Sequence, residues 1–355
     1  MKIVATMLAG NTESIAADAV ASVIDFVDEF CLIDTGITDN TIGVVRNVAG
    51  DKLHVENYAW TNDFSAARNA ALACALKREA DWALFVDTDE RFAFPGYKSR
   101  DELNQALDGA NIWLVQQHNG AYAQERFIRL PTNAFWNGRV HEGLCSTGKR
   151  LTLPGCSFYE LPKSAESLKA KFERDLVVLL EEVAVHKDNP RWHYYLGQTL
   201  ECLGETSRAI DAYENCMLLD GWADESAWAC YTAARCCSTL GEYKRAERFC
   251  ASGMTKKPSM PELPWLAGWC CYKRGSYQNA IAWSKIAAYL GGKAARHESG
   301  MFVYPPAWWE APYDVMRWSY KAIGSQEAAI AEERFKEMLA FRSNITIDRR
   351  VDCGN

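Results

Sequence analysis

Residues 83 to 92, ALFVDTDERF, deliver Asp87, Asp89 and Glu90 directly after an apolar run. On an extended chain, side chains two apart share a face but stand well separated, so Asp87 and Asp89 converge on one ligand only if the chain turns at Thr88. With that turn, the pair offers hard oxygen ligands to a divalent cation, and the cation can bridge a diphosphate. The same residues can instead cap the turn or helix that follows. Spacing alone does not choose between clamp and cap.

The elements around the pair favour a ligand site. KIVATMLA reads as a strand, and NTESIAADAVASVIDFV as a helix with Asn11 and Thr12 as caps. Strand FCLIDT, helix TDNTIGVVRNV, strand KLHVENYA, helix DFSAARNAALACALKRE and strand WALFVDTD follow. Such alternation implies right-handed crossovers and a mainly parallel sheet covered by helices, an α/β Rossmann-like domain. Ligands of these sheets collect at the carboxyl ends of the strands, where Asp34, Asp87 and Asp89 fall. Neither GxGxxG nor a Walker A sequence is present, so any phosphate-binding device must be another one, and a cation on carboxylates is the natural substitute. NIWLVQQHNGAYAQERFIRL reads as two further strands around an Asn-Gly turn, extending the sheet.

Composition narrows the function class. The 355 residues exceed one ordinary domain, so two cores are expected. A net charge of -7 and a pI near 5.5 argue against a broad basic surface for nucleic acid. No apolar run reaches membrane-spanning length, and MKIVATMLAG reads as a first strand rather than a signal peptide; the cytoplasm is the expected compartment. The 13 cysteines include no CxxC pair, and nine of them lie in the second half, most at helical positions suited to alanine. Buried thiols acting as small hydrophobes are expected ahead of disulfides or zinc ligands.

The second half changes period. LGQTLECLGETSRAIDAY, AARCCSTLGEYKRAERFC and AGWCCYKRGSYQNAIAWS each carry a small residue, then a glycine, then an alanine five positions on. The glycines, Gly204, Gly241 and Gly275, are 37 and 34 residues apart, and Gly324 with Ala329 forms a weaker fourth copy. This period marks an all-α solenoid of tetratricopeptide repeats (TPR), whose concave face either binds a partner or serves as a scaffold or dimerisation surface. A segment near 291–320 interrupts the period and brings seven aromatics into residues 302–320. Trp308 and Trp309 there can stack on a sugar, grip a peptide or form core, and Pro305 and Pro306 predict a rigid, extended loop.

Four segments, VASVIDFVDEFCLIDTGITDNT, YAWTNDFSAARNAAL, DWALFVDTDERF and GRVHEGL, resemble in order and spacing the family-2 glycosyltransferases of GT-A fold, particularly bacterial members fused to TPR repeats. The resemblance implies a GT-A domain over residues 1–160 and a repeat domain over 161–345. It implies transfer of a sugar from a nucleoside-diphosphate donor, most often a UDP-sugar, with inversion and with Mn2+ or Mg2+ on the diphosphate. Carried onto this chain, it places Thr6, Asp34, Arg68 and Asp87 at the nucleotide sugar. It gives Asp89, Asp87 and His141 to the metal and nominates Glu142 as the base, although Glu142 can equally pair with Arg139 or Arg129. Asp39 reads as a helix cap, and Asn69 either secures its own helix or reaches the donor. The family's Lys-Asn-Glu in the first loop is replaced by AGNTE, where Asn11 or Glu13 are the substitutes, and its acidic pair on the acceptor side has no clear counterpart. The resemblance also points to a peptide, protein or other polymeric acceptor on the repeat face. The rival reading is a non-catalytic binding or assembly protein carrying a degenerate transferase domain.

Overall fold

Parity along the strands shows how the first half folds. The computed structural model describes residues 1–351 except Ala121, Asp220 and residues 293–302, with side chains described to residue 344. The chain divides into two units, Met1–Lys163 and Ser164–Val351. In the first, β1 (Ile3–Ala9), α1 (Ala16–Ala21), β2 (Glu29–Asp34), α2 (Thr41–Ala49), β3 (Leu53–Asn57), α3 (Phe64–Lys77) and β4 (Trp82–Phe85) alternate as the sequence pattern requires. After them come β5 (Glu90–Ala93), α4 (Arg100–Ala106), β6 (Ile112–Gln117), β7 (Ala123–Arg129), β8 (Phe135–Asn137), β9 (Gly143–Cys145) and β10 (Arg150–Glu160).

Eight strands form one mixed, mostly parallel sheet in the order β3-β2-β1-β4-β7-β6-β10-β5, and β8 pairs with β9 in a separate two-stranded ribbon. Strands β1 to β4 are mutually parallel, whereas β7 enters antiparallel beside β4. Ile3, Ala5, Met7, Phe30, Leu32, Trp82 and Leu84 face one core with residues of α1, α2 and α4. Val4, Cys31, Ile33, Ala83 and Phe85 face the other, with α3, Trp136 of β8 and Leu144 of β9. The period of two thus separates two cores along the same strands. One expectation fails here: Cys31 on β2 and Cys74 on α3 are joined as a disulfide rather than left as thiols. They are 43 residues apart in sequence, and only the packing of α3 on the sheet brings them together.

The second unit is helical. It comprises α5 (Ala165–Val185), α6 (Pro190–Cys202), α7 (Thr206–Leu218), α8 (Ala223–Thr239), α9 (Tyr243–Lys256), α10 (Glu262–Lys273), α11 (Tyr277–Leu290), α12 (Pro305–Trp308), α13 (Ala311–Ala322) and α14 (Glu327–Val351). Gly204, Gly241, Gly275 and Gly324 all adopt φ between +70° and +80°. After each, a main-chain N–H reaches back five residues, as from Glu205 to the Leu200 carbonyl at 2.8 Å, which closes a Schellman turn. Ala209, Ala246 and Ala280 are fully buried, so the three repeats pack as their sequence implies. Ala329 is exposed, and the fourth copy departs from the pattern there.

The interruption divides in two. Residues 293–302, including Phe302, lie outside the described residues. Pro305 and Pro306 open the short helix α12 instead of an extended loop, because a proline in the first turn lacks only an N–H that the helix would leave unpaired. Trp309 is buried, and the Trp308 indole donates to Glu262 at 2.6 Å, so both serve the core. No helix among the described residues is long and apolar enough to cross a membrane.

Candidate functional site

The chain does turn at Thr88. Val86 donates its N–H to the Thr6 carbonyl at 3.0 Å, keeping β4 paired to its end, and the Glu90 N–H then returns to the Asp87 carbonyl at 3.1 Å. Arg91 fastens this turn from below, donating to the carbonyls of Thr88 and Glu90, and its other nitrogen reaches the Ile15 carbonyl. The two aspartates leave the turn towards different partners.

Asp87 continues the parity of Ala83 and Phe85 and therefore faces α3. Arg68 of α3 sets one nitrogen 3.1 and 3.2 Å from the two Asp87 oxygens, and its Nε lies 2.6 Å from Glu142 Oε1. From the antiparallel neighbour β7, Arg126 reaches Asp87 Oδ2 at 3.5 Å and also pairs with Glu90 and Gln124. Glu90 in turn accepts the Asp87 N–H at 3.1 Å. The result is an alternating chain, Glu142–Arg68–Asp87–Arg126–Glu90, with Arg126 and Glu90 almost wholly buried. The Arg126 guanidinium lies over Phe158, its centre 5.0 Å from the ring. Removing one member of such a buried array strands its partner's charge, typically at a cost of about 3–5 kcal/mol.

Electrostatics follow from that packing. Burial alone would push the Asp87 carboxyl up, but Arg68 and Arg126 outweigh it and hold it down to about 2. Burial likewise opposes the Arg68 charge, and the nearby Asp87 and Glu142 overcome it, so its proton is held more firmly than usual. For Glu90, burial raises the carboxyl, the Asp87 charge raises it further, and Arg126 opposes both without prevailing.

Asp89 is placed differently. Its carboxylate is 23% exposed and its Oδ2 lies 2.8 Å from Lys163 Nζ, while its carbonyl accepts the Leu161 N–H at 2.8 Å. Among the described residues it is the carboxylate of the turn that no guanidinium holds. A magnesium-like cation commonly takes one or two protein carboxylates and completes its shell with phosphate oxygens and water. Asp89 suits that use by its oxygen chemistry and accessibility. Among the described residues, no group of three His, Cys, Asp or Glu side chains stands ready to hold a metal unaided. The expected set of Asp87, Asp89 and His141 is therefore not assembled as a cage, since Asp87 is spent on arginines.

The remaining expected residues fall as follows. His141 sits half-buried in the β8–β9 loop at φ 51°, a left-handed conformation costly for a non-glycine residue, and precedes Glu142 directly. Glu142 pairs with Arg68, in place of the Arg139 or Arg129 pairing. Asp34 ends β2 at the carboxyl edge of the sheet, and its Oδ1 accepts the N–H groups of Gly36 and Ile37 at 2.8 and 2.7 Å, shaping the turn beside the site. Thr6 is buried inside the sheet, with its hydroxyl directed to the Leu84 carbonyl at 3.5 Å. The expectation that its side chain lines an open pocket is corrected, because it lies too far back along β1; it acts through the carbonyl that holds Val86.

The first loop and α3 are braced by residues whose role was open. Asn11 does not cap α1, which begins only at Ala16; its side chain bonds Thr38 through both oxygen and nitrogen, and Glu13 accepts the Asn40 N–H at 3.0 Å. These contacts latch AGNTE to the loop after β2. Asp39 accepts from Thr41 in the first turn of α2, as a cap does. Asn69 neither secures its helix nor faces a ligand: it exchanges two hydrogen bonds with the Trp136 main chain, at 2.8 and 2.9 Å, and pins β8 to α3. Asp63 caps α3 by accepting the Ala66 N–H. Glu90, Arg126 and Lys163 were missed by sequence reasoning. Glu90 lies directly after the aspartate pair, and an arginine placed before Phe127 and Ile128 in a strand is the one hint Arg126 offers.

Residues 5–133 match Glycosyl transferase family 2. The SPbeta prophage-derived glycosyltransferase SunS of Bacillus subtilis (strain 168) is 24% identical over 202 residues, covering 54% of this chain and 47% of that protein, and SunS of Bacillus phage SPbeta matches equally. The chain thus spans about half the length of these curated relatives. A TPR repeat-containing protein of Synechococcus elongatus is 35% identical over 102 residues, 29% of this chain and 23% of its own. Among solved structures, one of MamA is 16% identical with a TM-score of 0.39, covering 52% of this chain and 98% of that one.

Proposed function

We propose, from the premise that the chain carries a family-2 glycosyltransferase domain followed by a TPR-containing region, that it moves a sugar from a nucleoside diphosphate, UDP foremost, to a polymeric acceptor. The observation that carries the reading is the disposition of charge at the carboxyl edge of the sheet. Among the described residues Arg68, Arg126 and Lys163 each already contact a carboxylate, and Arg91 is turned onto main-chain carbonyls. Among the described residues a diphosphate meets only cations that are already engaged, and the sequence offers no glycine-rich phosphate loop. It therefore requires a divalent cation to accompany it, with Asp89 as the principal protein ligand.

Each residue then has a task. Asp34 shapes the turn at the nucleoside side, and Arg68 fixes the Asp87 carboxylate towards the ribose. Mn2+ or Mg2+, when bound, supplies charge neutralisation on the departing diphosphate. In an inverting displacement the acceptor oxygen or other nucleophile bonds to the anomeric carbon as the carbon–phosphate oxygen bond breaks, and the acceptor's proton passes to a carboxylate. Glu142 is the candidate, with Oε1 held by Arg68. His141 stands beside it as a second candidate contact for the diphosphate.

The acceptor class proposed is a peptide or protein engaged by the repeats, because stacked TPR helices present an extended concave face. A cytoplasmic location is proposed on the free thiols Cys145, Cys156 and those of the helical unit, and the Cys31–Cys74 disulfide is the feature that argues against it. The test is donor turnover: release of UDP from UDP-glucose and UDP-N-acetylglucosamine with Mn2+, in the wild type and in Asp89→Ala. The enzyme reading requires loss of turnover with the fold intact. Equal behaviour of the two proteins would return the chain to the binding-protein alternative.

A further inference from the structure

Lys163 is the cation at the acidic turn that is able to move. Arg68 is held by Asp87 and Glu142, and Arg126 by Glu90 and Asp87, both deep in the packing. Lys163 is 38% exposed, ends the first unit two residues after Leu161, and contacts Asp89 alone among the carboxylates with which the structure pairs it. Its ammonium occupies Asp89 Oδ2, one of the two oxygens that the carboxylate offers to a cation. Two positive charges cannot share that oxygen at close range without strong repulsion. The lysine, a point charge on a flexible four-carbon stem, is the partner that can leave.

We infer that Lys163 is a diphosphate-binding residue: it neutralises Asp89 while the site is without donor, and it turns onto the diphosphate oxygens when a divalent cation takes its place. This rests on the donor site proposed above and adds a residue to it. The ligand class is a nucleoside diphosphate with its cation, and the side chain recognises the diphosphate rather than the base. Removing Lys163 should then have effects of opposite sign on two equilibria. The cation alone gains an unoccupied carboxylate, while the nucleotide–cation pair loses a charge-assisted hydrogen bond.

Calorimetric titration of the full chain separates the possibilities, using Mn2+ alone, then UDP, GDP, CDP and UMP in saturating Mn2+, on wild type, Lys163→Met and Lys163→Arg. Lys163→Met should bind Mn2+ alone several-fold more tightly and the preferred diphosphate about 10- to 100-fold more weakly, with UMP changed much less. Lys163→Arg should recover most of the diphosphate affinity. Affinities that move together, that do not move, or that fall equally for UDP and UMP would overturn the inference while leaving the donor site standing. A wild type that binds none of the diphosphates with Mn2+ would overturn the donor site itself, and the role of Lys163 with it.

Discussion

Both units bury charge, but they arrange it differently. In the first, Arg126 and Glu90 lie almost wholly inside, joined through Asp87 to Arg68 and Glu142. The second holds Asp175, Glu225, Glu262 and Glu310 at separate points along its helices, and its helices meet at small residues, Gly197, Ala209, Ala234, Ala246, Gly268 and Ala280. A Cβ added at Gly197 would come within 2.6 Å of the Tyr213 ring, and one at Gly268 within 2.6 Å of Ser284. Buried charge is expensive unless it is paired and hydrogen-bonded, so a joined network is sensitive to the loss of any one member. Buried small residues set the distance between helices and carry no chemistry. Substitutions in the two units should therefore fail in different ways.

The largest contrast should come from Asp89→Asn. It should remove about a thousand-fold or more of donor turnover, or about 4 kcal/mol of barrier lowering, with the unfolding midpoint unchanged, measured by UDP release beside thermal denaturation. Next, Arg126→Met should destabilise the first unit by about 3 kcal/mol, because Asp87 loses one of the two guanidiniums that hold its charge and buried Glu90 loses its hydrogen-bond partner; urea unfolding measures this. If Arg126→Met kept its stability and lost only turnover, the network would be catalytic rather than architectural.

Acid supplies a third test. The Asp87 carboxyl is held at about 2 in the fold against an ordinary value of 3.8, so its ion pairs add stability that is complete above pH 4 and lost as pH falls through 2. The amount is about 2 kcal/mol, and Asp87→Asn should show that much less acid sensitivity when its unfolding is compared at pH 5 and pH 2. The smallest effect belongs to the second unit. Gly197→Ala should cost about 1–2 kcal/mol, overpacking against Tyr213 being partly offset by helix propensity. Donor turnover should be untouched; a change in it would break the division of labour.

What could be read in the sequence was what repeats or alternates. The strand–helix alternation up to β4 and the glycine–alanine spacing of the repeats are local patterns, and the fold keeps them. Arg126 was not legible because β7 enters the sheet beside β4, out of sequence order and antiparallel, and no periodicity announces that neighbour. The same holds for Arg68 with Glu142, 74 residues apart, and Asn69 with Trp136, 67 apart. Each depends on how α3 packs against the small ribbon of β8 and β9. Thr6 shows the reverse error: its residue type suggested a ligand contact, but its depth along β1 determines its role.

The central claim is that the carboxyl edge of the sheet accepts a diphosphate only together with a divalent cation. Thermal denaturation with UDP, GDP or dTDP, each with and without Mn2+, tests it most directly, since a ligand of the native state raises its midpoint. The account requires a shift that needs nucleotide and cation together and disappears in Asp89→Asn. A shift of the same size with nucleotide alone, or none under any combination, would contradict it.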